Sequence, residues 1–488
     1  MTFPSYSSIF IFLPIVVIGW FFLNRKSLTL AKVFLAVASL VFYAFAGVKA
    51  LVVLILSAAI NYAIVRVGFD RVSKRAGKLI LAVGIAVNLL ALFYCKYLTY
   101  FENIINKLSG SNLTFEAIVL PLGISYFTFS QIAHLVDSYR DEAYRPSFID
   151  YLLFVSFFPK ISVGPIALST EMIVQFNDEK VRHIDYDNMA RGFYAFVLGL
   201  SKKLLLADNI GTFVDLGYAN IASLGTTNAL LTILGYTLQI YFDFSGYCDM
   251  ASGICRMMNI DLPDNFDAPY QSLSVAEFWK RWHITLTRFF RNYLYIPLGG
   301  NRKGKIRTYI NNFIIFVVSG LWHGAATQFV VWGVVHAFGS IFSKIASPIM
   351  GKLPKFVRWL LTFSFVNLAW VLFRSPDIGT AMQMFKQLFT GGIISIDINI
   401  VAAAIPAEGK LIQWIVLKSA PQFTYYSGCA VILAMLLTGL LIATRSKTVS
   451  AKVREFKPTR VKVFTTVMLF AWSVLSLSEM AEFIYVNF

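Results

Sequence analysis

One histidine interrupts a long apolar stretch of the sequence. His323 lies within IIFVVSGLWHGAATQFVVWGVVH, residues 314–336, between Trp322 and Gly324. Ionisable side chains at membrane depth are costly and usually face a helix-bundle interior or a wet cavity. A neutral imidazole there can accept a proton; the structural alternative is a histidine hydrogen-bonded to a neighbouring helix. Trp322 can line an apolar pocket, and Gly324 allows the chain to break or a ligand to approach closely, so these neighbours favour a functional site.

A second group of chemically capable residues lies in SVAEFWKRWHITLTRFFRNYLYIPLGGNRKGKIR, residues 274–307. Helical spacing predicts an amphipathic helix at the cytoplasmic interface, with His283 on its inner edge. The helix could simply anchor the protein at the interface, or its cations could bind a phosphorylated donor. By itself His283 would more often be structural. The predicted apolar stripe is Phe278, Trp282, Leu286, Phe289 and Phe290, and the candidate donor-binding residues are Lys280, Arg281 and Arg291.

Two carboxylates interrupt another apolar run, QIYFDFSGYCDM. Unpaired Asp243 and Asp249 would be very expensive at membrane depth. We therefore expect them to pair with Arg288, Arg291 or Arg256 and to support the structure, with a proton path as the minority alternative.

The remaining histidines and the cysteines give weaker signals. His336 lies 13 residues after His323, so the two cannot share one face of a continuous helix. His134 and His183 lie near cytoplasmic breaks and are assigned no role. The cysteines form no metal-type CxxC pair, so neither a metal site nor a disulfide framework is predicted; they are Cys95, Cys248, Cys255 and Cys429.

Composition identifies the elements that must position these residues. The chain has 488 residues, of which 57% are hydrophobic and 14% charged, and its mean hydropathy is +0.66. Such values are typical of a polytopic membrane protein. Apolar runs separated by short basic breaks predict one continuous all-α bundle over residues 1–488. The runs fall near 9–23, 32–47, 50–66, 79–95, 117–136, 151–168, 192–206, 228–250, 309–322, 325–343, 359–373, 427–443 and 463–477.

The net charge of +17 follows membrane topology. Basic residues cluster in alternate breaks, including Arg66 to Lys78 and Arg445 to Lys462, which the positive-inside rule places in the cytoplasm. Both termini and a loop region at 376–422, which could contain one surface helix, are then expected to fall outside. Because topology already accounts for the charge, we expect no nucleic-acid partner. The run 151–168 contains FFPKISVGPI and is expected to enter the membrane and return.

The depth of His323 follows from the length of the run before it. Residues 309–322 make about 21 Å of helix, whereas a bilayer core is about 30 Å thick. Starting from cytoplasmic Arg307, His323 is therefore expected to remain inside the membrane.

The stretch from FDFSGYCDMASGICRMMNIDLPDNFDAPYQ through VAEFWKRWHITLTRFF to SGLWHGAATQFVVWGVVHA resembles the membrane-bound O-acyltransferases (MBOAT), most closely their bacterial alginate O-acetyltransferase branch. PLGISYFTFSQIAHLVDSYR and FFPKISVGPI resemble further elements of that branch. The resemblance covers roughly residues 115–375, between N-terminal helices at 1–114 and C-terminal helices at 423–488. It implies a bundle of roughly 11–13 transmembrane or re-entrant helices with a through-membrane tunnel. It also implies that His323 is catalytic and that His283 is a second active-site histidine.

The resemblance implies an enzyme, an O-acyltransferase of the bacterial inner membrane. We expect it to transfer acetyl from cytoplasmic acetyl-CoA for O-acetylation of an exopolysaccharide such as alginate, with no permanently bound cofactor. Expected partners are membrane lipids, the cytoplasmic donor and a periplasmic acetyltransferase or polysaccharide-modification protein. The alternatives are a D-alanyl transfer protein of teichoic-acid type that uses a carrier protein, and a transporter or flippase. A covalent route through Cys248 or Cys255 is disfavoured because no histidine is adjacent in sequence.

Overall fold

A computed structural model describes residues 3–69, 73–114, 120–142, 145–405, 421–479 and 484 of the chain. The described residues form helices and no strand, with one isolated antiparallel bridge between Phe266 and Trp282. The helices of the first half are α1 Ser8–Asn24, α2 Leu28–Ala44, α3 Val48–Gly68, α4 Lys74–Ser109, α5 Ile124–Tyr139, α6 Phe148–Ser156, α7 Phe158–Ile161, α8 Ser169–Phe176, α9 Tyr186–Ser201, α10 Asn209–Ala219 and α11 Thr226–Met257. The second half contains α12 Val275–Arg281, α13 Ile284–Phe290, α14 Gly304–His323, α15 Thr327–Ile345, α16 Ser347–Met350, α17 Lys355–Arg374, α18 Ile378–Thr390, α19 Ile398–Ala403, α20 Pro421–Arg445, α21 Val449–Arg454 and α22 Arg460–Leu475.

Hydropathy and capping explain these elements. Five helices of the described chain are long and apolar enough to cross a membrane, namely α3, α4, α15, α17 and the Tyr425–Arg445 part of α20. Several helices begin where a serine or aspartate side chain accepts a hydrogen bond from an otherwise unpaired backbone N–H; Ser27, Ser274 and Asp377 do this for α2, α12 and α18. The prediction of an all-α polytopic membrane protein is confirmed.

The chain divides into two compact units. The first comprises Met1–Phe196, Cys248–Asp264 and Arg288–Tyr293, and the second comprises Val197–Tyr247, Asn265–Thr287 and Leu294–Phe488. Within the first unit, the buried Lys32 ammonium lies 2.6 Å from the Asp150 carboxylate. The Arg288 guanidinium pairs with the Glu171 carboxylate in the same unit. Neither pair was predicted.

In the second unit, α14 and α15 pack backbone to backbone. A Cβ atom added at Gly320 would collide with the carbonyl oxygen of Phe329, and one at Gly333 would collide with that of Phe316. Only glycine permits this approach, as in close helix pairs of membrane proteins generally. The packing places the end of α14 beside the first two turns of α15.

The structure differs from three predictions made from the sequence. The single amphipathic helix predicted within residues 274–307 is wrong, because the chain breaks at Trp282 and His283 between α12 and α13. The helix that carries His323 begins at Gly304 rather than near residue 309, so its 20 residues measure about 30 Å. In the 376–422 region two helices form, α18 and α19, while residues 406–420 lie outside the described chain.

Candidate active site

His323 is the last residue of α14 and lies in a cage of aromatic rings. Its side chain is buried, with 3% of its surface exposed. The imidazole centroid lies 4.9 Å from the ring of Trp322, 5.1 Å from Trp332 and 5.1 Å from Phe373, each edge to face. Three aromatic rings therefore give this imidazole largely apolar surroundings.

The chain break after His323 is imposed by packing. Gly324 adopts an extended backbone with φ of −162°, and α15 starts at Thr327. A Cβ atom at Gly324 would collide with the Phe329 ring. The chain breaks at this glycine, which is one of the two possibilities that the sequence left open, and the break returns the chain so that Trp332 faces His323.

His283 lies in the break between α12 and α13. Its φ of 47° is in the left-handed region, which residues other than glycine rarely adopt. The backbone is held there by the segment before α12, since the Asp267 N–H donates to the Arg281 carbonyl at 2.9 Å and the Ile284 N–H to the Asn265 carbonyl at 3.0 Å. Strained backbone of this kind often marks a functional site.

The His283 side chain is fully buried and oriented by one amide. Its Nδ1 lies 3.1 Å from the Asn265 Oδ1 atom, which also accepts from the Thr285 hydroxyl at 2.9 Å. The Phe244 ring packs edge to face against the imidazole, at 4.9 Å between centroids. Burial lowers the pKa of His283 to about 3, so this imidazole is neutral at physiological pH.

One indole joins the two histidines. Trp322 packs against His283 at 5.9 Å between ring centroids and against His323 at 4.9 Å. The structure therefore brings together three of the predicted site residues. His283 comes from the break between α12 and α13, and Trp322 and His323 come from the end of α14. Trp282 precedes His283 in the break between α12 and α13. Its ring packs on Phe266 and on Trp370, each at 5.0 Å between centroids, and these contacts support the chain next to His283.

The candidate donor-binding cations have different surroundings. Lys280 is exposed on α12, and Arg291 is exposed in the π-helical turn after α13. The Arg281 guanidinium instead bonds the Glu277 carboxylate at 2.9 Å and the Asp267 carbonyl at 3.2 Å. A phosphate at Arg281 would have to compete with these acceptors, so Lys280 is the better placed of the two cations on α12.

The predicted partners of Asp243 are wrong. Lys203 bonds Asp243 at 2.7 Å and Asp208 at 2.8 Å, and all three side chains are buried. Arg256 and Arg288 pair elsewhere, with Asp261 and Glu171. The expected structural role of Asp243 is compatible with this ion cluster. Asp249 lies in the first unit and is half-buried.

Sequence reasoning missed four residues near these groups. Lys203 was counted inside an apolar run, although a lysine within such a run is itself a signal for a buried acidic partner. Asn265 carried no signal, because it lies in an irregular segment far from His283 in sequence. Trp332 and His336 were read as part of a membrane helix. Their four-residue spacing on that helix already brings the two rings together, at 4.7 Å between centroids, whereas the contact of Trp332 with His323 depends on the fold.

A separate cavity of about 490 Å³ lies in the second unit between the π-helical turn after α9 and helices α20 to α22. Its wall is mainly aliphatic, with Lys202 and Lys452 among the polar residues, and it contains none of the histidines. The cavity is therefore not the site of the histidine chemistry.

Comparison with known proteins agrees with the motifs. Residues 85–375 match the family model described as the membrane-bound O-acyltransferase family. A peptidoglycan O-acetyltransferase of Helicobacter pylori is 39% identical over 411 residues, covering 78% of each chain. A probable alginate O-acetylase, AlgI, of Pseudomonas aeruginosa is 36% identical over 401 residues, covering 80% of this chain and 75% of the relative. A teichoic acid D-alanyltransferase of Bacillus subtilis is 30% identical over 225 residues, covering 44% of this chain and 57% of the relative. The family match, the two long relatives and the all-α membrane fold agree: this chain is an O-acyltransferase and belongs to the membrane-bound O-acyltransferase family.

Proposed function

We propose that this enzyme transfers acetyl groups from cytoplasmic acetyl-CoA, across the bacterial inner membrane, for O-acetylation of an extracytoplasmic polysaccharide. The buried, aromatic-caged His323 carries the proposal, because acyl transfer to a hydroxyl needs a base in a dry site. The two relatives that align over more than three quarters of this chain are both named for O-acetylation, which supports acetyl as the acyl group.

The chemistry assigns His323 a defined task. A ring nitrogen of neutral His323 takes the proton of the acceptor hydroxyl as its oxygen forms a bond to the thioester carbonyl carbon. The carbon–sulfur bond then breaks, and the thiolate of coenzyme A leaves and is protonated. His283, neutral and held by Asn265, is suited to orient one reactant through a hydrogen bond. Lys280 is the preferred cation for the phosphates of the donor, and a tunnel through the bundle would connect donor and acceptor.

The acceptor is proposed at the level of a class. Alginate is the polysaccharide suggested by sequence motifs, and peptidoglycan is the one named in a relative of slightly higher identity. Both present sugar hydroxyls outside the cytoplasmic membrane. Either polymer could receive acetyl directly or through a periplasmic acetyltransferase partner.

The deciding experiment uses the purified protein in proteoliposomes with radiolabelled acetyl-CoA and, in turn, alginate and peptidoglycan fragments. We expect label transfer by the wild type and a loss of about 10²- to 10⁴-fold in His323→Gln, whose amide can hydrogen-bond but cannot act as a base. His134→Gln is the matched control, since His134 is also buried and its Nδ1 lies 2.8 Å from the Ser169 hydroxyl within the first unit. Near-normal turnover in His323→Gln would remove the base assignment, and wild-type protein that uses no acetyl-CoA would remove the donor assignment.

The second candidate is D-alanyl transfer from a carrier protein, favoured by the shorter alignment to the teichoic acid D-alanyltransferase. Offering the enzyme D-alanyl carrier protein in the same assay separates the two donors. Transport is less well supported, because the buried carboxylate of Asp243 is already bonded to Lys203.

A further inference from the structure

Two buried N–H groups on α15 lack an acceptor within the described chain. They are Nε1 of Trp332 and Nε2 of His336. Both side chains are fully buried. Buried polar groups are nearly always hydrogen-bonded, so an orphaned pair requires an explanation such as a bound ligand or water.

Both atoms are donors. An indole Nε1 is always a donor. The Trp279 indole donates to Nδ1 of His336 at 3.1 Å, so Nδ1 is the acceptor nitrogen of that ring. In the neutral imidazole the proton must then be on Nε2. The site therefore has two donors and, among the described residues, no acceptor for either of them.

The fold places the Trp332 ring beside the candidate base and the His336 ring next to Trp332. Trp332 and His336 are four residues apart on α15 and share one face of that helix. The Trp332 ring lies 5.1 Å from the His323 ring and 4.7 Å from the His336 ring, measured between centroids. The close packing of α14 on α15 through Gly320 and Gly333 holds this arrangement.

Neighbouring indoles show that the orphaned donors are not a general property of this aromatic cluster. The Trp370 N–H donates to the Tyr270 hydroxyl at 3.1 Å, and the Trp359 N–H donates to the Tyr270 carbonyl at 2.8 Å. The N–H groups of Trp370 and Trp359 are thus satisfied within the protein, in contrast to the N–H group of Trp332.

We propose that the Trp332 and His336 N–H groups bind the carbonyl oxygen of the acyl group and stabilise its negative charge during transfer. This inference rests on the proposed function. As the acceptor oxygen bonds to the carbonyl carbon, the π electrons of the C=O bond move onto its oxygen, and the acceptor proton goes to His323. When the C=O bond reforms, the thiolate leaves. Preorganised donors in a water-excluded site are an effective means of stabilising that charge.

The test compares two tryptophans. Trp332→Phe removes one proposed donor, and Trp359→Phe is the matched control, which removes an indole N–H that is bonded to the Tyr270 carbonyl within the protein. We expect Trp332→Phe to lower kcat by about 10²- to 10³-fold, the range for loss of one oxyanion donor, with a smaller change in KM. Trp359→Phe should retain kcat and should lower the melting temperature instead.

A second substitution separates the N–H group from the shape of the ring. Benzothienylalanine at position 332 keeps a bicyclic ring and lacks the N–H, so it should reproduce the kcat loss even if Trp332→Phe folds poorly. A kcat equal to that of the wild type in this variant overturns the proposal. If the melting temperature falls while kcat stays unchanged, the N–H group binds a structural water, and the proposal is overturned as well. Failure of the proposed function is a distinct result, because the wild type would then transfer no acyl group from any thioester donor.

Discussion

At the scale of single residues, His283 combines backbone strain with burial of a titratable ring. Its left-handed φ of 47° costs about 1–2 kcal/mol for an ordinary residue. Two backbone hydrogen bonds from the 265–267 segment offset that cost by holding the break. The imidazole is then fixed by Asn265 and covered by Phe244 and Trp322. A side chain held so tightly is suited to orienting a reactant.

His283 should make stability depend on pH. Its folded-state pKa of about 3 lies below the ordinary value near 6.5, so between these pH values the unfolded chain binds a proton that the folded chain does not. The free energy of unfolding should therefore fall as pH drops below about 6.5. For this one group we expect a loss of about 1–2 kcal/mol between pH 7 and 5.

His283→Asn tests this prediction, because asparagine tolerates the left-handed region and does not titrate. Melting temperatures in detergent at pH 7 and 5 should differ less in this variant than in the wild type, and its acyl transfer should fall. His183→Asn, which changes an exposed histidine, is the matched control. Equal pH dependence in wild type and His283→Asn would contradict the burial argument.

At the scale of elements, the pairing of α14 with α15 determines the distance between His323 and Trp332. Gly320 and Gly333 face each other, with an added Cβ at either one lying 3.4 Å from the Cα of the other. Because the closest contacts are with backbone carbonyls, a new methyl group cannot be accommodated by rotating a side chain. The helices would have to separate, and the ring contacts around His323 would loosen with them.

Gly333→Ala should therefore reduce stability by about 1–3 kcal/mol through overpacking. Activity per folded molecule should also fall, because the caged histidine loses its fixed geometry. Gly84→Ala is the control: this glycine is also helical, and the atoms nearest its added Cβ are side-chain methyl groups of Leu135 and Ile64, at 3.2 and 3.4 Å. Thermal melting and labelled acyl transfer measure both effects. Wild-type behaviour of Gly333→Ala would show that the helix pair is not rigid.

At the scale of the whole molecule, charge distribution should orient the chain in the membrane. Basic residues concentrate in the α3–α4 and α20–α22 connections, and these connections are expected on the cytoplasmic side. The α18 helix and the residues that follow it are then expected outside. This topology would put the acyl donor and a polysaccharide acceptor on opposite sides of the membrane.

Single-cysteine labelling tests the topology in a background lacking the four native cysteines. A cysteine replacing Ile393, whose side chain is 92% exposed, should react with an impermeant maleimide added outside spheroplasts that retain an intact inner membrane. A cysteine replacing Ser73 should react only after permeabilisation. Labelling of Ser73→Cys in intact spheroplasts would reverse the orientation.

The amino-acid sequence by itself determined the class of this protein and the chemical candidates. Hydropathy and charge are properties of short stretches of sequence, so the all-α membrane architecture could be predicted from local patterns. The possibility of a chain break at Gly324, beside a buried histidine, could be recognised in the same way. The tertiary structure alone decided which side chains meet. Asn265 reaches His283 through a chain reversal, Lys203 rather than an arginine pairs with Asp243, and Trp332 meets His323 because two glycines let helices touch. Local patterns could not supply these pairs, because each depends on contact between segments separated along the chain and on backbone conformation that helical periodicity does not encode.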